Sequence, residues 1–308
     1  MSGMSAAAEG ARPVARRPVS RVRRLRKNRY GRVLLRAPFY LLIAAIFFYC
    51  LFPFYWVVRS SFTPEVNLFQ TPIKYFPSHP TLENYRGALS ANFFTDALLN
   101  SAIVAGSVTL LSLAIGASAA FALGRFKFHG RSFVMYLVLS MTIFPQIAIL
   151  GALYTTITKL NLYDTLGSLI FSYLIFTLPF TIWVLTSFMR ALPADLEEAA
   201  YVDGATPLQV FWKVLLPLIA PGLVTTGLLA FISAWNEYLY ALSFIQSPNH
   251  YTVPLAITSF VSKTGSAFAV PWGQIMAATV IITMPLILLV LILQRRIIAG
   301  LTAGAVKG

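Results

Sequence analysis

Charge is scarce in this chain. Asp, Glu, Lys and Arg make up 11% of its 308 residues, against roughly 25% in a soluble domain. So few charges cannot clothe a water-facing surface, which excludes an ordinary soluble protein. One cysteine, Cys50, excludes an internal disulfide and a thiolate metal cluster. The three histidines, His79, His129 and His250, stand singly and form no metal-ligand pattern, so no metal is expected. None of the seven lysines follows a glycine, so the Walker A phosphate cradle, Gly-x-x-x-x-Gly-Lys-Ser/Thr, is absent. The chain cannot cradle a nucleotide in that way.

What is present is apolar. Hydrophobic residues reach 57% and the mean hydropathy is +0.73. About 20 apolar residues cross a bilayer as a helix. Six stretches qualify, at roughly 37–58, 97–123, 132–155, 166–190, 217–245 and 272–294. Helices are expected because lipid cannot satisfy an open backbone, and no ten-residue alternation signals a barrel. The fold expected is all-α, an integral membrane protein of six transmembrane helices. Pro145 interrupts the third stretch, and 153–162 reads as a short interfacial helix.

The formal charge of +14 is uneven. Residues 1–36 hold eleven Arg or Lys and one acid, Glu9. That basic arm runs straight into an apolar span, so it reads as a tail near anionic lipid, with no nucleic-acid partner. Arg16-Arg17 is a weak twin-arginine hint. The 22 apolar residues that follow exceed the roughly 7–15 of a signal sequence, and no small-residue cleavage site comes after them. The span is expected to be retained. With the N-terminus inside, 19 Lys/Arg fall on the cytoplasmic side and five outside, namely Arg59, Lys74, Arg86, Lys159 and Lys263. This asymmetry predicts both termini in the cytoplasm. The external segment 59–96 carries Pro64, Pro72, Pro77 and Pro80 and reads as an extended cap leading to a short amphipathic helix. The organisation expected is a tail at 1–36, a transmembrane domain at 37–298 containing a polar loop at 191–217, and a tail at 299–308.

That polar loop is the most informative segment. It reads Glu198-Ala199-Ala200, three residues, Gly204, nine residues, Val214, one residue, Leu216-Pro217. Pro193 and Asp195 open a short helix whose first-turn acids suit the helix dipole. Consecutive alanines leave a thin helix face, and Gly204 permits a reversal at positive φ. Thr206 is placed to cap the next helix, with Pro207 at its first position.

The spacing resembles the coupling loop of ABC-importer permeases, with Val214 where Ile is more usual. Members of that family are six-helix proteins of the type I importer fold, not enzymes themselves. The resemblance implies a second, non-identical permease subunit and two ATPase subunits that bind ATP and Mg. It also implies an extracytoplasmic binding protein that delivers the substrate. It assigns ATPase coupling to Glu198, Ala199, Ala200, Asp203, Gly204, Leu216 and Pro217. The turn Ala122–Gly130, the run Asp203–Pro207 and Ala234-Trp235-Asn236-Glu237-Tyr238 are similar to carbohydrate-uptake permeases. The ending Gly300–Gly308 is similar to the second permease subunit of maltose- and trehalose-type systems. That likeness implies a C-terminal coupling tail carrying Thr302, Gly304, Lys307 and Gly308. It also places the chain in a prokaryotic inner membrane.

A sugar pathway needs hydroxyl partners and flat aromatic faces. Trp235, Asn236, Glu237 and Tyr238 offer both, midway along the fifth span; Asn100, Gln146, Tyr173 and Trp183 are secondary candidates. Glu237 is also the one clear acid inside a span. It fits a substrate contact, a structural hydrogen bond, or the ionisable centre of an ion- or proton-coupled carrier. A membrane scaffold or receptor without transport is the third class, and the coupling spacing argues against both the carrier and the scaffold.

Overall fold

The computed structural model describes residues 29–263 and 270–305, with side chains described at 36, 38–261 and 270–294. Every regular element among these residues is helical. In chain order the α-helices are α1 (Arg29–Ser61), α2 (Glu83–Ser90), α3 (Asn92–Arg125), α4 (Arg131–Met141) and α5 (Gln146–Lys159). There follow α6 (Leu166–Ala191), α7 (Asp195–Val202), α8 (Pro207–Val210), α9 (Leu216–Leu218) and α10 (Ala220–Trp235). The last are α11 (Leu239–Phe244), α12 (Val253–Lys263) and α13 (Trp272–Ala305). Among the described residues four helices are long and apolar enough to cross a membrane, or up to six spans if each of two bent pairs counts as one.

Contacts divide the chain into residues 1–53 and 54–308. The described part of the first unit is the body of α1, where Phe39, Leu41, Phe47, Phe48 and Tyr49 are all exposed. A helix apolar all round is soluble only in lipid or against another apolar surface.

In the second unit α3 is the central helix, packed chiefly on α6 and then on α10. Small residues allow this close approach. A Cβ on Gly116 would stand 2.5 Å from the Thr181 methyl, and one on Gly124 would stand 2.8 Å from the Met189 Cβ. Nearer the N-terminus of α3 than these two glycines, Ser112 shares a hydroxyl hydrogen bond of 2.8 Å with Thr177. Such interhelical bonds contribute about 0.6 kcal/mol on average in lipid. Two apolar clusters result. The larger contains Phe94, Val104, Leu169, Tyr240 and Phe244; the smaller contains Phe121, Leu185, Met189, Val210, Phe211 and Leu215.

The expected interruption at Pro145 is present, but the helix after it is α5 (Gln146–Lys159) rather than a short one at 153–162, and the spans depart from the sequence expectation in two further places. The third span is two helices, α4 and α5, bent by 95° about residues 142–145. Pro145 cannot donate to the preceding turn, so it becomes the N-cap of α5. The fifth span does not run from 217 to 245. It begins with a 75° bend at Ile219, crosses as α10, and breaks at Asn236–Tyr238. The outer spans are longer than the apolar runs. Helix begins at Arg29 and continues to Ala305, inside the segments assigned to the tails.

The loops after α5 and after α11 are tied together by Asp164, at φ +58°. Its Oδ1 accepts from the backbone N–H groups of Gln246 and Ser247, each at 2.9 Å, and the Ser247 hydroxyl donates to Oδ2. The expected amphipathic helix of the cap is α2, held by buried Asn84, whose amide donates to Ser61 O and Thr63 O at 3.0 and 2.8 Å.

Candidate coupling loop and helix break

The loop after α6 is built from local rules. Three acids, Asp195, Glu197 and Glu198, sit in the first turn of α7, where the helix dipole favours negative charge. The helix ends in a Schellman motif. Ala205 N–H reaches Ala200 O and Gly204 N–H reaches Tyr201 O, both at 3.0 Å. Gly204 holds φ +80°, a conformation costing an L side chain roughly 1–2 kcal/mol. Thr206 and Gln209 then form a reciprocal capping box at the start of α8, with Pro207 in its first turn. A π-helical turn, Phe211–Leu215, carries the chain to α9, with Leu216 N–H bonded to Phe211 O. Widened turns of this kind collect at functional sites.

Adjacent acids of α7 face different surroundings. Glu198 and Ala199 are exposed, whereas Glu197 turns inward to Arg125 at the end of α3. The Nε–Oε1 distance is 2.5 Å, and the two side chains are 11% and 13% exposed. Arg125 Nη2 also donates to Leu192 O at 3.1 Å, beyond the end of α6. Arg190 and Arg131 cap the last carbonyls of α3, donating to Leu123 O at 3.3 Å and Gly124 O at 2.9 Å. Three arginines from three helices therefore knot the ends of α3, α4 and α6 to α7. In the sequence these arginines read only as loop charges. A basic residue ending one span and an acid-rich short helix after another was the available signal, but the pairing is 72 residues apart.

Below the knot, Ala200 and Ala205 rest on the smaller apolar cluster. Phe211 enters that cluster and meets the Phe121 ring of α3 at 5.0 Å. The outer face is different: Leu196, Tyr201, Val202, Leu208 and Trp212 are exposed, Val202 at 87%. Asp203 and Pro217 are also exposed, while Leu216 packs against the cluster. The loop thus presents an apolar and acidic face outward on a rigidly seated base.

The four residues proposed to line a pathway do not lie midway along a helix. Trp235 ends α10, buried and stacked on Phe231 at 5.6 Å and 22°. Asn236 is exposed and its amide donates to Ile232 O at 2.8 Å, closing the helix end. Glu237 accepts from Tyr240 N–H at 2.9 Å and Ala241 N–H at 3.3 Å, which caps α11. The buried Tyr173 of α6 lies beside its carboxylate. Tyr238 is exposed. Of the secondary candidates, Asn100 is occupied: its amide donates to Asn249 O at 2.7 Å and Tyr251 O at 3.0 Å. Gln146 and Trp183 are exposed, and the Gln146 carbonyl accepts from the Tyr240 hydroxyl at 3.0 Å. Thr302 and Gly304 continue α13 in backbone; Lys307 and Gly308 lie outside the described residues. No group of three or more His, Cys, Asp or Glu side chains able to hold a metal occurs among the described residues.

Residues 112–302 match the family model described as binding-protein-dependent transport system inner membrane component. The chain is 42% identical over 261 residues to the trehalose/maltose transport system permease protein MalG of Thermococcus litoralis, covering 84% of this chain and 92% of that one. It is 43% identical over 260 residues to the trehalose transport system permease protein SugB of Mycobacterium tuberculosis, covering 84% and 93%. A crystal structure of a bacterial ABC transporter that imports the acidic polysaccharide alginate shares its fold, with a TM-score of 0.74 at 21% identity, over 87% of this chain and 97% of that one. Membership of a binding-protein-dependent family sets aside the ion-coupled carrier. The matched segment is most of the chain, and the protein belongs to the family of binding-protein-dependent transport system inner membrane components.

Proposed function

We propose that this chain is one permease subunit of an ATP-driven sugar importer of the maltose and trehalose type. The observation that carries the coupling role is the α7 face: exposed Glu198, Tyr201 and Val202 on a helix anchored from behind by Arg125 and Glu197. Relatives named for maltose, trehalose and other glycosides support the sugar class. In this reading a second, non-identical permease completes the pathway, two ATPase subunits carry ATP and Mg, and an extracytoplasmic binding protein delivers sugar. The multi-pass chain lies in a prokaryotic inner membrane with both termini cytoplasmic, which follows from the Lys/Arg asymmetry.

The chain's part in the cycle is mechanical. Closure of the ATPase dimer displaces α7, and its load passes to α3 through the Arg125–Glu197 pair and through Phe211 against Phe121. The bends at Ile219 and at residues 142–145 already interrupt the helical ladder, so they are the places where the spans yield. Of Trp235 to Tyr238, the exposed Asn236 and Tyr238 offer polar and aromatic groups to the pathway while buried Trp235 and half-buried Glu237 hold the break that positions them, and Thr302 to Gly308 supply a second contact to the ATPase subunits. Glu198→Lys reverses the exposed charge, and Gly204→Val places a branched side chain at φ +80°. Either variant is expected to insert, to abolish uptake and to weaken ATPase association. Undiminished sugar uptake in both variants would refute the coupling role.

A further inference from the structure

The external cap encloses a cationic cavity that transport through the bundle leaves without a role. Arg59, at the last turns of α1, is only 6% exposed. One of its amino groups donates to Lys74 O at 2.5 Å, and its guanidinium carbon lies 5.0 Å from the centre of the Trp56 ring. Its Nε and Nη1 are buried without a hydrogen-bond partner. No ion pair to Arg59 occurs among the described residues, where the pairs are Arg125–Glu197 and His250–Asp164. The Glu65 carboxylate, nearby in sequence, accepts instead from Gly273 N–H at 2.8 Å. A cation–π contact offsets only part of the cost of burying a guanidinium, and the remainder calls for a counter-charge.

Arg59 lines a cavity of about 180 Å³ between the end of α1 and the 63–79 segment. Lys74, Asn67, Gln70, Ser78 and His79 share its wall, and no acid does. Lys74 Nζ donates to Ser78 Oγ at 3.0 Å and has further N–H groups to give. Pro72 and Pro77 stiffen the wall; Arg59 is buried at its base, while Lys74 stands exposed at the mouth with its ammonium tied to Ser78. A cleft lined by one sign of charge concentrates the opposite sign. The volume suits a phosphate or carboxylate group with a few waters, each water taking about 30 Å³.

We propose that this cavity is an anion site, in which Arg59 and Lys74 hold a phosphate or carboxylate group. The site stands independently of the coupling role. Arg59 ends an apolar span, where lipid headgroups lie, so the group has two sources: a free anion or an anionic lipid. The test uses the full chain with its co-purifying subunits in phosphatidylcholine nanodiscs. Melting temperature is followed against sodium phosphate below 10 mM at fixed ionic strength, alongside Lys74→Gln, which removes the ammonium and keeps the carbonyl that orders Arg59. A saturable rise in the parent, displaced about tenfold to higher phosphate in Lys74→Gln, is expected. The same rise vanishing when phosphatidylglycerol replaces phosphatidylcholine would identify the lipid as occupant; persistence would identify a free anion. No saturable rise in phosphatidylcholine, or identical titrations for parent and variant, would overturn the site.

Discussion

Truncating Glu197 to alanine isolates the clamp behind the coupling helix. The Arg125–Glu197 contact is short, at 2.5 Å, and both side chains are nearly buried at 11% and 13% exposure. Removing one partner of a buried pair costs about 3–5 kcal/mol, because the other charge stays buried; an exposed pair is worth under about 1 kcal/mol. Arg125 keeps one further acceptor, Leu192 O at 3.1 Å, so the lower end of the buried range, about 3 kcal/mol, applies. Apart from the clamp, α7 and the turn after it are seated by the small side chains of Ala200 and Ala205, each worth roughly one buried methyl, about 0.8 kcal/mol. The ion pair is therefore the largest single term holding α7 against α3. Its loss shifts local docking by about 10²-fold. Amide exchange in residues 199–205 should accelerate by that factor in Glu197→Ala, while exchange in the buried α3–α6 core stays unchanged. Uptake should fall with the complex still assembled, and the exchanged pair Arg125→Glu with Glu197→Arg should recover part of it. Exchange and uptake equal to the parent's, or strictly additive effects of Arg125→Ala and Glu197→Ala, would refute the clamp.

Glu237→Gln keeps one acceptor for the two N–H groups that start α11, at a cost of about 1 kcal/mol. The variant should assemble normally with altered sugar uptake; failure to assemble would assign Glu237 to structure alone. Asp164 offers a pH test outside the spans. Burial pushes its carboxyl up, but the Ser247 hydroxyl and N–H, the Gln246 N–H and His250 outweigh that and bring it down to about 2. A depressed carboxyl stabilises the fold above its unfolded value near 4, and that contribution fades as pH falls through about 2. Asp164→Asn should therefore melt lower than the parent at pH 5–8 by about 1 kcal/mol once solvent screening is allowed for, with the gap closing below pH 4. A gap independent of pH down to 2 would refute the charge-based tie.

Local chemistry made much of this legible in the sequence. Thr206-Pro207 marks a helix start and Gly204 a reversal because each satisfies a backbone requirement that few other residues meet. Pro145 marks a break for the same kind of reason. The break at 236–238 was hidden, because the apolar run on both sides reads as one span. The Asn236 amide on Ile232 O and the turning of Glu237 back onto the N–H groups of Tyr240 and Ala241 stop the helix there. The choice between Glu197 and Glu198 was equally hidden. Successive helix residues point about 100° apart, and which one meets Arg125 depends on how α7 lies against α3. Asn100 resembled a sugar ligand until the carbonyls of Asn249 and Tyr251 were found to occupy it. Burial of Arg59 depends on a proline-rich segment folding back over it, which no local pattern encodes.

The role of the outward face of α7 is tested most directly by recovering what binds the intact chain. A mild-detergent pull-down from the native host, read by mass spectrometry, should yield an ATPase subunit and a second, non-identical permease, and Gly204→Val should lose the ATPase first. Recovery of the chain alone, under conditions that preserve other membrane complexes, would contradict an importer assembled on α7.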